Sequence, residues 1–199
     1  LKFDKKVRAH IQENNLTEII SPAAGFRVVF SHISTVIINS LLFGVFLGLL
    51  LITLLLGLFF RSIPFGVLSA FPNVLPIASA FGIWALYDGQ VGFMVAAGMG
   101  STLGIIVDFT VHLLSKYDLA RREMGQSPEE AVVFAFESVG FALIVMTIVI
   151  SLGFLVLNLV NFMPLHDFAR FSTISFVMAL IIDFLLFPNL LVKFDKRQF

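Results

Sequence analysis

The sequence predicts an all-α membrane protein with five transmembrane helices. Three observations predict it. Hydrophobic residues make up 58% of the 199-residue chain and charged residues only 13%, too few to clothe a water-soluble domain. The mean hydropathy is +0.99, which places most of the chain in an apolar solvent. Apolar runs long enough to cross about 30 Å of hydrocarbon recur five times. There is no cysteine, so disulfide frameworks, thiolate metal sites and cysteine nucleophiles are excluded. No cofactor, metal or nucleic-acid partner is expected.

The elements follow in order. Residues 1–34 differ from the rest: "FDKKVRAHIQENNLTEII" carries charge at a helical rhythm, "SPAAG" breaks it, and "FRVVF" has the β-branched and aromatic character of a short strand. This segment is expected to be the closing edge of an extramembrane domain. The bundle is expected over residues 35–193. Its first span, 36–60, is uninterrupted and ends at Arg61. The second, 66–87, contains "FPNVLP", so Pro72 and Pro76 kink it or set its start. The third covers 92–115. In "SPEE", Ser127 reads as an N-cap, Pro128 as the first helical residue and Glu130 as the third. A short interfacial helix over 127–137 therefore leads into the fourth span, 138–159. The fifth span is 167–192, and residues 194–199 form a polar tail.

An odd number of spans puts the two ends on opposite sides. Arg61, Lys116, Arg121, Arg122, Lys193, Lys196 and Arg197 follow the odd-numbered spans, while "YDGQVG" and "VNFMPLHD" hold no Lys or Arg. The positive-inside rule makes the basic loops cytoplasmic. The N-terminal segment, with Lys2, Lys5, Lys6 and Arg8, then lies outside, which the rule permits only for part of a large translocated domain. The chain also opens on Leu1 without a signal-peptide pattern, so it is expected to be a piece of a longer protein.

Chemistry concentrates in "TLGIIVDFTVHLL", residues 102–114. A carboxylate at the centre of a membrane helix costs roughly 2.5–3.5 kcal/mol, and such residues normally face a bundle interior or a wet cavity, often as proton relays. Asp108 lies about 12 Å from the near end of its helix at 1.5 Å per residue. Steps of three and four residues set Ser101, Gly104, Asp108, His112 and Ser115 on one face. His112 titrates near neutrality when unperturbed and reads equally as a relay or a packing group. Gly104 leaves room for a neighbouring helix or water. Asp183, about 13 Å from its own helix end, is a second buried acid, either a relay member or a helix-terminus anchor. Thr147 and Ser151 share a face of the fourth span, with Thr147 at the depth of Asp108. They are relay candidates or ordinary interhelical hydrogen-bonding groups. Gly44 and Gly48 make a small-xxx-small packing signal.

Four motifs in order then resemble one superfamily. "SAFPNVLPIA" resembles the Pro-Asn-x-x-Pro entry of the RND (resistance–nodulation–division) transporters. "GIIVDFTVHLLSKY" resembles their Gly-x-x-x-Asp helix, the fourth of each six-helix half. "SPEEAVVFAFESVGFALIVMTIVISLGFLVL" resembles the amphipathic helix and fifth span, and "SFVMALIIDFLLFPNLL" the last span. Each is weak alone; in sequence over residues 25–193 they are fairly specific. The wording is similar to the MmpL and hopanoid-transporter exporters, relatives of the sterol-sensing and Patched proteins.

The resemblance implies the last five helices of an RND-type half bundle, with the end of a periplasmic α+β domain at the N-terminus. It implies export of lipids or other hydrophobic compounds across the bacterial inner membrane, driven by the proton-motive force, with no covalent chemistry. The implied partners are the hydrophobic substrate, membrane lipids, the missing second six-helix half and the periplasmic domain; a homo-oligomer is left open. Asp108 matches the family's relay position, at the interface between halves. The companion position, often an acid or Tyr, is Phe109, so the partner charge sits on the absent half or His112 stands in. Two other readings share these helices: a sterol-sensing-like lipid-binding module and a SecD/SecF-type protein-translocation motor. An intramembrane aspartyl protease fits poorly, because Tyr87-Asp88 and Tyr117-Asp118 lie at helix ends and Asp108 follows "GIIV".

Overall fold

A computed structural model of the chain describes residues 2–13, 26–87 and 89–195, and every regular element among them is helical. Helix α1 is Lys2–Glu13, α2 is Phe26–Phe59, α3 is Ile63–Tyr87 and α4 is Phe93–Arg122. Helix α5, Pro128–Ala135, passes through a π-helical turn at Phe136–Gly140 into α6, Phe141–Val156, which ends in a 3-10 turn at Leu157–Leu159. Helix α7 is Met163–Leu185 and α8 is Phe187–Phe194. Five stretches are long and apolar enough to span a bilayer: Ser34–Phe59, Pro64–Tyr87, Phe93–Arg122, Pro128–Leu159 and Met163–Phe194. The protein is thus an all-α, multi-pass membrane protein.

Two expectations are corrected. "FRVVF", expected as a short strand, forms the first turns of α2. Strand preference depends on a pleated neighbour to pair with, whereas a helix satisfies its own backbone groups and here runs without interruption into the first span. No strand occurs among the described residues, so the α+β character expected at the N-terminus is not present in them, and α2 runs through residue 34. The "SPAAG" breaker and residues 196–199 of the expected tail lie outside the described residues. The interfacial helix is continuous with the fourth span through the π turn, and the fifth is broken at Leu186. Pro188, in the first turn of α8, cannot donate the hydrogen bond that would carry α7 onward.

Local sequence explains the turns. Between α2 and α3, Arg61 adopts a left-handed φ of 48°. Ser62 N donates to Gly57 O at 2.9 Å and Arg61 N to Leu58 O at 3.1 Å, a Schellman arrangement that satisfies the last carbonyls of α2. The turn is tight: a Cβ on Gly66 would lie 2.6 Å from Gly57 Cα, so α2 and α3 touch backbone to backbone. The expected cap of α5 is present in full. Glu130 N donates to the Ser127 hydroxyl at 3.3 Å, and Ser127 N to the Glu130 carboxylate at 2.9 Å. Pro72 and Pro76 lie inside α3, which starts earlier, at Ile63.

Packing sorts the helices. Helix α7 packs against α3, α4 and α6, and α2 packs against α3 and α4. Buried and half-buried aromatics fill the centre: Phe171 meets Phe81 at 4.8 Å and Trp84 at 6.2 Å, and Phe154 meets Phe176 at 5.2 Å. Helix α2 stays mostly exposed; Phe43, Phe46, Leu50 and Leu54 project outward, as a helix bathed in lipid should.

The basic end of the bundle is pinned by a polar network. Tyr117 donates its hydroxyl to Asp195 Oδ2 at 2.8 Å, and Arg121 Nε reaches the same oxygen at 3.0 Å. Arg121 Nη1 also donates to Gln126 O at 2.5 Å, and Arg122 donates to Phe60 O and, at 2.9 Å, to Asp118. The network ties the end of α4 to the end of α8 and to the α2–α3 turn. The side chains of Arg121 and Asp195 are 9% and 0% exposed, so removing one takes a 3.0 Å ion-pair contact from a buried charge. Asp195→Ala should therefore cost about 3–5 kcal/mol, read as unfolding free energy in mixed micelles. Wild-type stability in that variant would mean that water replaces the carboxylate without loss.

Candidate functional site

Helix α4 is apolar on most positions, yet it carries polar groups on two opposite faces. The outer face bears Ser101, Gly104, Asp108 and His112, all exposed, with Ser115 half-buried. Asp108 and His112 are spaced one turn apart, and His112 Nε2 lies 3.6 Å from Asp108 Oδ1. Their side chains are 50% and 54% exposed, Asp108 first. Asp108 was expected to face a bundle interior or a wet cavity, at the interface between halves; within this bundle it faces outward. Phe109, at the neighbouring position, is fully buried.

The inner face bears Thr110, two residues and about 200° further round. Its hydroxyl donates to Asn73 Oδ1 on α3 at 3.0 Å. Asn73 Nδ2 donates to Ser69 O at 2.8 Å, and the Ser69 hydroxyl to Gly66 O at 2.7 Å. Asp183 of α7 lies beside Thr110. Thr110 and Asp183 are fully buried, and Asn73 is 1% exposed. Neither Asp183 oxygen completes a hydrogen bond in this geometry. The second buried acid therefore sits in the last turn of α7, beside α4.

The expected approach of Thr147 and Ser151 to Asp108 is not made. Both are buried on α6, which packs on α7. The Thr147 hydroxyl bonds back to Leu143 O of its own helix at 2.8 Å, and Ser151 Oγ has no hydrogen-bond partner. Matched depth did not mean matched azimuth. The expected glycine packing also divides. A Cβ on Gly48 would meet Leu103 at 3.9 Å, ordinary contact with α4, but Gly44 and Gly104 have nothing within 4 Å. Gly104 is open on the same face as Asp108. The close backbone contact of the fold is Gly66 with Gly57, which the sequence reading did not single out.

Asn73 and Thr110 are the polar members of the site that sequence reading missed. Asn73 stands in the quoted "FPNVLP", where the prolines drew the attention, and a neutral amide inside an apolar helix was the available signal. Thr110 gave a weaker one.

Five membrane-length helices, an intramembrane acid on an open face and a second acid buried at a helix junction define a polytopic membrane protein with ionisable groups within its spans. The MMPL family profile matches residues 5–198, and the chain belongs to this family. It is also similar to MJ1562 of Methanocaldococcus jannaschii, described only as a membrane protein, at 26% identity over 151 residues. That match covers 75% of this chain and 38% of the relative, so the chain spans well under half of the relative's length.

The Asn73–Thr110 bond can be measured directly. A double-mutant cycle with Asn73→Ala and Thr110→Ala should give a coupling of about 1 kcal/mol in unfolding free energy. A coupling near zero would contradict the bond.

Proposed function

We propose that this chain is part of a proton-motive-force-driven exporter of lipids or other hydrophobic compounds, with Asp108 and His112 carrying protons at the face where a second helical bundle docks. One observation carries the reading: an acid half exposed on the outer face of a membrane-spanning helix. An isolated carboxylate facing lipid is unfavourable by roughly 2.5–3.5 kcal/mol, so the face calls for a protein or water-lined cover. Membership of the MMPL family and the four RND-like motifs support transport over an enzymatic role. The short length relative to MJ1562 is consistent with a second bundle elsewhere in the complete protein.

The chemistry follows from the pair. Asp108 gains or loses a proton as the face opens to one side or the other. His112, one turn nearer the basic end, stabilises the ionised carboxylate when it is itself protonated. Neutralising Asp108 removes a charge from the interface, and the two bundles repack. In this reading the site lies in the bacterial inner membrane, with the basic end cytoplasmic and the N-terminal segment outside. Thr147, Ser151 and Asp183 would act behind this face, through α6 and α7, and not as direct ligands of Asp108.

In the full-length protein, Asp108→Asn should abolish proton-dependent export while the amount in the membrane stays normal. His112→Ala should shift the pH profile of export and leave activity measurable. Export by the Asp108→Asn variant at the wild-type rate would overturn the relay.

A further inference from the structure

We propose that Asp183, Thr110 and Asn73 form a proton-operated hydrogen-bond switch inside this bundle, separate from the outer face of α4. Thr110 has one hydroxyl proton, directed at Asn73 Oδ1 at 3.0 Å, with its own Ile106 O as a longer alternative at 3.4 Å. The Asn73 amide cannot profitably turn over, because Nδ2 is engaged with Ser69 O at 2.8 Å, which leaves Oδ1 facing Thr110. Thr110 Oγ therefore donates to α3 and retains lone pairs on the side of Asp183.

A carboxyl group reads that arrangement in two ways. When neutral, Asp183 owns an O–H, and Thr110 Oγ is the adjacent acceptor. A small side-chain rotation completes the chain Asp183 O–H to Thr110 O–H to Asn73 Oδ1, and α7, α4 and α3 are joined with each of these hydroxyl protons used. When ionised, Asp183 can only accept. The neighbouring donor is the same Thr110 proton, and charge-assisted bonds are roughly twice as strong as neutral ones. Thr110 then turns to Asp183, and Asn73 Oδ1 loses its partner. Protonation of Asp183 thus decides whether α4 is tied to α3.

Among the described residues no cation offsets the Asp183 carboxyl: no Lys, Arg or His lies within 4.0 Å of it. On α7 itself, His166, Asp167 and Arg170 stand at the Met163 end, where Arg170 bonds Asn158 and Tyr87. On α4, Asp108 and His112 occupy the opposite face, and Lys116, Tyr117, Asp118, Arg121 and Arg122 lie towards the basic end. Helix α3 offers Tyr87 at its far end, α6 has no ionisable residue, the π turn has Glu137, and α8 has Lys193.

The test is pH-difference infrared spectroscopy of the full-length protein in lipid. A carboxylic-acid carbonyl band should appear with acidification and vanish in Asp183→Asn. An amide band, identified by its loss in Asn73→Ala, should change at the same pH. In Thr110→Val the carboxyl band should persist at a new frequency while the accompanying Asn73 change is lost; Thr110→Ser should restore both. Asp108→Asn should leave these bands in place, so failure of the outer relay and failure of the switch are distinguishable. A spectrum unaltered by Asp183→Asn, or an Asn73 change that survives Thr110→Val, overturns the proposal. So does a response driven by sodium at constant pH, which would make the cluster a cation site.

Discussion

Inside a bilayer no water is on hand to satisfy a polar group, so each one must find its partner in protein. That constraint orders this structure. Backbone groups are satisfied by helices, and the helix ends by the Schellman turn at Arg61 and the capping box at Ser127 and Glu130. Hydroxyls such as Thr147 and Ser175 bond back to carbonyls of their own helices. The polar groups left over are few, and they are where function is sought.

Helix α4 holds both kinds of leftover. Through Thr110 it belongs to the interior of its own bundle, joined to α3 and set beside α7. Through Asp108 and His112 it presents an acid–imidazole pair outward. A helix with one polar face inward and one outward can relay a change of charge on one side into a change of packing on the other. Its lower end is held by Arg121 and Asp195, which keeps α4 and α8 in register while such a change occurs.

Much of this was legible in the sequence. Five apolar runs specify the spans because length and hydropathy are local properties, and "SPEE" specifies a helix start because its cap is made within four residues. The strand reading of "FRVVF" failed because local preference yields to the element it continues into. Azimuth was the harder quantity. A helix apolar on nearly all sides gives little sign of which side faces in, so nothing in the sequence marks Thr110 and not Asp108 as the group facing α3. Depth alone likewise suggested that Thr147 and Ser151 meet Asp108, although α6 packs on α7. Asn73 and its bond to Thr110 span 37 residues of sequence and follow from packing that no short motif encodes.

The central claim is that protein covers the outer face of α4 in the complete molecule. This chain contains no cysteine, and with any cysteine elsewhere in the full-length protein replaced, single spin labels can be placed at chosen positions. One label replaces Gly104, beside Asp108; the other replaces Phe46 on α2, which is 64% exposed. Collision rates with lipid-dissolved oxygen then compare the two positions in the full-length protein in bilayers. The account predicts clear shielding at position 104 relative to position 46. Equal oxygen access at both would put Asp108 against lipid and contradict it.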